Sequence, residues 1–219
     1  MRLGRRALAL IALLGGSAPL HQQQAVPVVS AEKATVAVLP FRTGGVLSPA
    51  GAFQDVDDAE AGPGDHGALA ARVLADHLAK SGLNVVDPER VFGAVSLADA
   101  GHYDPPFAAR VASKVGARFV VLGAFARFRQ REGSALGVTS PASVAYHVAL
   151  VRASDRAILA TDRLDYTQQA LSENLLELPR FLKGGGRWVT REEILDGAFE
   201  ETARKLAKTL GVTAPARAR

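Results

Sequence analysis

The run Gly116-Ala-Arg-Phe-Val-Val-Leu-Gly123, continued through Phe128, constrains this chain more than any other stretch. The spacing predicts a long strand over Phe119 to Phe128 that is apolar on both faces in its first half. A strand of that kind sits inside a sheet with helices on at least one face. Further along, the pattern changes to alternation. Arg127, Arg129 and Arg131 fall on one face, because side chains in a strand repeat every two residues.

The segments on either side set the architecture. Thr35-Val-Ala-Val-Leu39 reads as a first strand closed by Pro40. From Arg42 the composition shifts to Gly, Pro, Ala and acids, with Asp55, Asp57, Asp58, Glu60 and Asp65, so 42–66 reads as a mobile acidic loop. Ala68 to Lys80 reads as a helix with Leu69, Val73, Leu74, His77 and Leu78 on one broad face, and Gly82 stands where a C′ residue belongs. Leu83 to Val86 follows as a strand. Asp87-Pro88 and Asp104-Pro105 each offer an N-cap followed by proline at the first helical position. Ser143 to Arg152 and Ile158 to Thr167 alternate around the short turn 153–156, the pattern of an antiparallel hairpin.

The carboxyl third reads as helical. Leu175 to Leu182 is interrupted by Pro179 and ends at Gly184-Gly-Gly186. Thr190-Arg-Glu-Glu193 is a capping box. It opens a helix with Leu195, Phe199, Ala203, Leu206 and Leu210 on one stripe. Strands alternating with helices, then a hairpin, then helices, give the fold class: one α/β domain of two or three layers over 32–211. Its mixed sheet is parallel in its first three strands and antiparallel in its last.

The ends differ from this body. Arg2, Arg5 and Arg6 precede the uncharged apolar run Ala7 to Leu14, and Val29-Ser30-Ala31 supplies small residues for cleavage, so 1–31 reads as a secretory signal peptide. The alternative is a buried amino-terminal helix. The run is far shorter than the ~20 residues of a membrane-spanning helix. The formal net charge is +4, and three of those charges are Arg2, Arg5 and Arg6. With the leader gone the body is near neutral, which argues against nucleic acid as a partner. Residues 212–219 read as a disordered tail. The chain has no cysteine, so disulfides, zinc–thiolate sites, cysteine nucleophiles and a lipid anchor on cysteine are all excluded. Periplasmic localisation follows, with attachment to the outer membrane only through a partner.

No catalytic, cofactor or metal site is assigned. Asp55-Val-Asp-Asp-Ala-Glu60 has the carboxylates that calcium takes but not the glycine and spacing of a calcium loop. Gly184-Gly-Gly186 precedes a helix without a Walker lysine or Rossmann spacing. Among His66, His77, His102 and His147 no pair stands at helical ligand spacing. His77 falls on the inner stripe of its helix and His147 opposite Tyr146. Ser81, Ser113 and Ser154 lack a nucleophile-elbow sequence. The candidate partner-binding residues are Arg127, Arg129, Arg131, Arg187 and Trp188. The arginines suit an anionic partner, or a solvated strand end facing the acidic loop or Asp165. Trp188, the one tryptophan, suits an interface hot spot or a core anchor.

Val36-Ala-Val-Leu-Pro-Phe41, Leu74-Ala-Asp-His-Leu78 leading into Leu83-Asn-Val-Val86, Gly116 to Gly123, the hairpin and the closing helix together resemble a known superfamily. It holds the amino-terminal domain of TolB, the curli secretion protein CsgG, the penicillin-binding-protein activator LpoB and the flagellar protein FlgO. The resemblance implies an anticodon-binding-domain-like fold, a periplasmic location and action by protein–protein contact, without catalytic residues to carry over. Several such proteins are lipoproteins, whereas this chain has no cysteine to acylate. The connections 130–142 and 154–156 are too short for the inserted hairpins of a curli-type pore. The expected function is a non-catalytic adaptor or assembly factor that binds envelope proteins. The alternatives are a subunit of an outer-membrane secretion or flagellar assembly, or a small-ligand binder or enzyme. Homo-oligomerisation is left open.

Overall fold

The computed structural model describes residues 34–48, 52–55, 60–61, 65–95, 103–133, 138–168 and 188–212. In chain order the elements are β1 (Thr35–Val38), β2 (Arg42–Thr43), β3 (Gly45–Leu47), β4 (Phe53–Asp55), β5 (Glu60–Ala61), α1 (His66–Lys80), β6 (Asn84–Val85), α2 (Pro88–Ala94) and α3 (Pro105–Val115). They continue with β7 (Phe119–Arg129), β8 (Glu132–Gly133), β9 (Val138–Ser140), β10 (Ser143–Arg152), β11 (Ile158–Thr167) and α4 (Arg191–Thr209). The stretch 1–31 read as a leader, the helix read at 175–182, Gly184 to Gly186, Arg187 and His102 lie outside the described residues.

The helix boundaries follow local chemistry. Asp65 accepts from the Ala68 amide at 3.0 Å, Asp87 from Glu89 at 3.0 Å and Asp104 from Phe107 at 2.7 Å. Each carboxylate meets an amide with no intrahelical partner. Pro88 and Pro105 occupy first helical positions, where a missing N–H costs nothing. Gly116 closes α3 in the left-handed region at φ 73°. Both halves of the capping box at Thr190 and Glu193 are formed.

The main sheet runs β11-β10-β7-β1-β6. β1 is parallel to β6 and β7, and β10 is antiparallel to β7 and β11. That is the parallel-then-antiparallel order the sequence implied. Alternation along the strands sends Val36, Val38, Phe119, Val121, Tyr146 and Leu150 to one face, under α1 and α4. Ala37, Leu39, Val120, Leu122 and Ala124 go to the other, under α2 and α3. The domain is therefore three-layered. Val212 is 8% exposed and joins the first core, so the ordered body includes the first residue assigned to the tail.

The segment 42–66, expected as a loop, instead carries four short strands. The reason lies in a length mismatch. β7 has eleven residues and β1 only four, so the upper edge of β7 would hold unpaired amides and carbonyls inside the fold. β2 and β5 satisfy them in parallel, Arg42 opposite Ala124 and Glu60 opposite Arg127. β3 and β4 form a hairpin between them. Phe41, at the start of this segment, lies directly over Gly123. A Cβ there would come within 2.5 Å of the Phe41 ring.

Strict alternation along β7 does not hold either. Phe125 pairs with Tyr146 but Arg127 with Ala145, so Ala126 is an extra residue, a β-bulge. Phe125 and Phe128 thereby share a face, stacked with centroids 4.5 Å apart. Arg127 and Arg129 turn to the opposite face. Arg131 lies past the strand end.

Candidate partner-binding face

β7, β10 and β11 extend beyond the cover of α2 and α3, and on that side they carry polar residues. The register places Arg129 opposite Ser143, Ser143 opposite Thr167, and His147 opposite Arg163. Arg127 reaches across all three strands. Its guanidinium donates to the Ser143 hydroxyl and the Asp165 carboxylate, and at 3.4 Å to the Thr167 hydroxyl. Ser143 and Thr167 are themselves hydrogen-bonded at 2.9 Å. Arg127 is thus a fixed cross-strand strut, while Arg129, at the strand end, is exposed.

Next to this lattice is a groove of about 650 Å³ whose lining includes Leu47, Ser48, His147, Ile158, Thr161 and Arg163. Burial lowers the pKa of His147, Arg163 lowers it further, and Asp165 opposes both. A histidine held below its ordinary value is neutral at pH 7 and presents one donor and one acceptor. The Ser48 hydroxyl is buried without a partner. The face offers charges of both signs, hydroxyls and a neutral imidazole over three strands, a set suited to hydrogen bonding with a polar protein surface.

Arg131 and Trp188 belong to a second place, the entry of α4. The Arg131 amide and the Arg191 amide both donate to Gln130 Oε1, at 3.0 and 3.3 Å, and Gln130 Nε2 donates to Glu192 at 2.9 Å. Arg191 lies over the Phe128 ring at 4.5 Å and donates to the Phe128 carbonyl at 3.1 Å. Burial alone would push the Glu192 carboxyl up. The hydrogen bonds from Arg191 and Gln130 outweigh it and hold the pKa down. Nη1 of Arg131 is buried without a hydrogen-bond partner. Trp188 is half-buried, and the Val189 amide after it donates to Gln168 Oε1 at 2.9 Å.

The structure therefore unites Arg127 with Arg129 and separates them from Arg131 and Trp188. The end of β7 at Arg129 causes the split, while the bulge at Ala126 decides which face Arg127 and Arg129 occupy. Sequence reasoning passed over Ser143, Arg163 and Thr167. The hairpin alternation already placed them on the side of His147, and that was the available signal. His77, read as a core or boundary residue, joins α1 to α4 through Asp196 at 2.8 Å. Among the described residues no group of three His, Cys, Asp or Glu side chains is arranged to hold a metal ion. No described helix is long and apolar enough to cross a membrane, which says nothing of β-barrels.

No family model matches the chain, and no curated protein matches it. Solved structures do resemble it. The PelC dodecamer from Paraburkholderia phytofirmans is 14% identical with a TM-score of 0.44, covering 85% of this chain and 92% of that one. The carboxyl-terminal domain of LpoB from Salmonella enterica is 15% identical with a TM-score of 0.42, covering 65% and 87%. A lipoprotein from Neisseria meningitidis is 16% identical with a TM-score of 0.42, covering 69% and 92%.

Proposed function

We propose that the chain is exported to the periplasm and acts there as a non-catalytic protein-binding adaptor or assembly factor of the cell envelope. The carrying observation is the polar face of β7, β10 and β11, where Arg127, Arg129, His147, Arg163 and Asp165 are grouped and, among the described residues, no helix covers them. Two sequence features support the location: the basic, apolar, small-residue order of 1–31, and a body near neutrality once that leader is removed. Burial of a surface of this kind against a partner gains most from a few well-placed arginines and aromatics. Arg129 and Trp188 are the residues to test.

The experiment is in-cell crosslinking followed by affinity recovery of the chain from envelope fractions. Arg129→Glu and Trp188→Ala are run beside the parent, and circular dichroism checks that each is folded. The reading predicts a defined envelope protein recovered with the parent and at least several-fold less with one or both variants. Identical recovery patterns for all three folded chains would overturn it, as would turnover of a metabolite by the purified chain.

A further inference from the structure

β11 is an edge strand of ten residues, and among the described residues no strand pairs with its outer side. The opposite edge of the sheet, β6, has only two residues. Long open edges invite pairing with another chain, and proteins blunt them with bulges, prolines or lysines. β11 has neither proline nor lysine, and its one irregularity is at its start, between Leu150 and Val151 of the facing strand. From Ala160 to Thr167 the ladder is regular.

The direction of the backbone groups along that stretch follows from one hydrogen bond. The Gln168 amide donates to the Ala142 carbonyl at 3.1 Å, which makes Gln168 and Ala142 a hydrogen-bonded pair of the antiparallel ladder. Residues of the same parity, Ala160, Asp162, Leu164 and Tyr166, therefore point their amides and carbonyls toward β10. Thr161, Arg163, Asp165 and Thr167 point theirs outward. Their side chains are all exposed and lie on the polar face.

We infer that β11 pairs with β11 of a second copy of this chain, antiparallel, about a two-fold axis through Leu164. A two-fold contact requires the strand to complement itself, and this register does so. It sets Arg163 of each copy opposite Asp165 of the other, and Thr161 opposite Thr167. Every one of these is an outward-pointing residue, so each pair exchanges both backbone hydrogen bonds. Asp165 binds Arg127 of its own copy through Oδ1 and has a second oxygen for the incoming guanidinium. On the other face the half-buried Leu164, already packed on the core, meets its own copy. Moving the axis one residue either way puts Arg163 opposite Arg163 or Asp165 opposite Asp165. Opposite charges directly across a ladder stabilise and like charges destabilise, so the sequence selects the Leu164 register over its two neighbours. The inference does not depend on the adaptor reading, and a self-paired sheet would be continuous across both copies.

The test is the mass of the full chain in solution, measured over a range of concentrations by sedimentation or light scattering. The parent is expected to dimerise. Arg163→Asp places Asp opposite Asp in the pairing, Asp165→Arg places Arg opposite Arg, and each should weaken dimerisation by about tenfold or more. The double swap Arg163→Asp with Asp165→Arg restores the complement and should dimerise. The two single variants mixed together should form a heterodimer, because every charged pair between them is again opposite in sign. Thr161→Pro removes an outward N–H that makes no bond to β10, so it should leave the fold intact and abolish pairing. The inference is overturned by a parent that stays monomeric at the highest concentrations. It is equally overturned by single variants that dimerise as the parent does, or by a mixture in which both remain monomers.

Discussion

Under α4 the Tyr146 hydroxyl and the Thr202 hydroxyl are hydrogen-bonded at 2.8 Å in the buried core, and Thr202 donates on to Asp162 at 2.7 Å. Lys205 closes the line on Asp162 at 3.0 Å, and the bond raises the pKa of its ammonium. Burial raises the pKa of the Tyr146 phenol, against the hydrogen bond with Thr202, so it is a donor at any ordinary pH. Thr202→Val should leave the Tyr146 hydroxyl and an Asp162 oxygen short of a partner and cost about 2 kcal/mol. Tyr146→Phe removes one member cleanly and should cost only about 1 kcal/mol. Urea denaturation of both variants measures the difference. His147 sets a pH dependence of definite sign. Its folded pKa is lowered by burial and by Arg163, so the folded state binds the proton less readily than the unfolded chain does. Its contribution is present above the unfolded value of about 6.5 and is lost as pH falls below it through the folded pKa. The melting temperature should fall on acidification from pH 7 to pH 5, and by less in His147→Gln.

Elements show where local signals decide structure and where distant ones do. The caps at Asp87, Asp104 and Thr190 were readable because each helix start depends on residues within one turn, whereas Asp65, read as part of the acidic loop, caps a helix that begins at His66 rather than Ala68. Thr190→Ala should cost about 1 kcal/mol in chemical denaturation, since it removes half of a formed capping box. The strand pairs of the 42–66 segment were not readable. Two-residue strands have no periodicity to detect, and what orders them is the surplus length of β7, encoded some seventy residues later. The bulge at Ala126 escaped for a related reason. Period-two reasoning assumes an unbroken ladder, and the break is dictated by packing Phe125 and Phe128 into one core. That is why Arg127 and Arg129 stand on the face opposite Phe125 and Phe128, and the end of the strand at Arg129 leaves Arg131 apart from them. Gly67 belongs to this non-local class as well. A Cβ there would stand 2.1 Å from the Phe41 carbonyl oxygen. The obstacle is backbone, so Gly67→Ala should destabilise the fold by about 2 kcal/mol in the same assay.

At the scale of the whole molecule, one mixed sheet separates two cores and, among the described residues, leaves its antiparallel end partly uncovered. The covered part explains stability and was legible from hydrophobic pattern. The uncovered part holds the candidate site, and its members were legible only as single residues, because their grouping depends on cross-strand register. The account joins this body to an export leader at 1–31 and to partners in the envelope. Export is the claim that everything else in the functional reading needs, since a cytosolic chain would never meet those partners. The most direct measurement is the intact mass of the chain after it is expressed from its own start and the cells are fractionated. The account predicts a periplasmic species shortened by about thirty residues at its amino terminus. Recovery of the unshortened 23.0 kDa chain from the cytosol would contradict it.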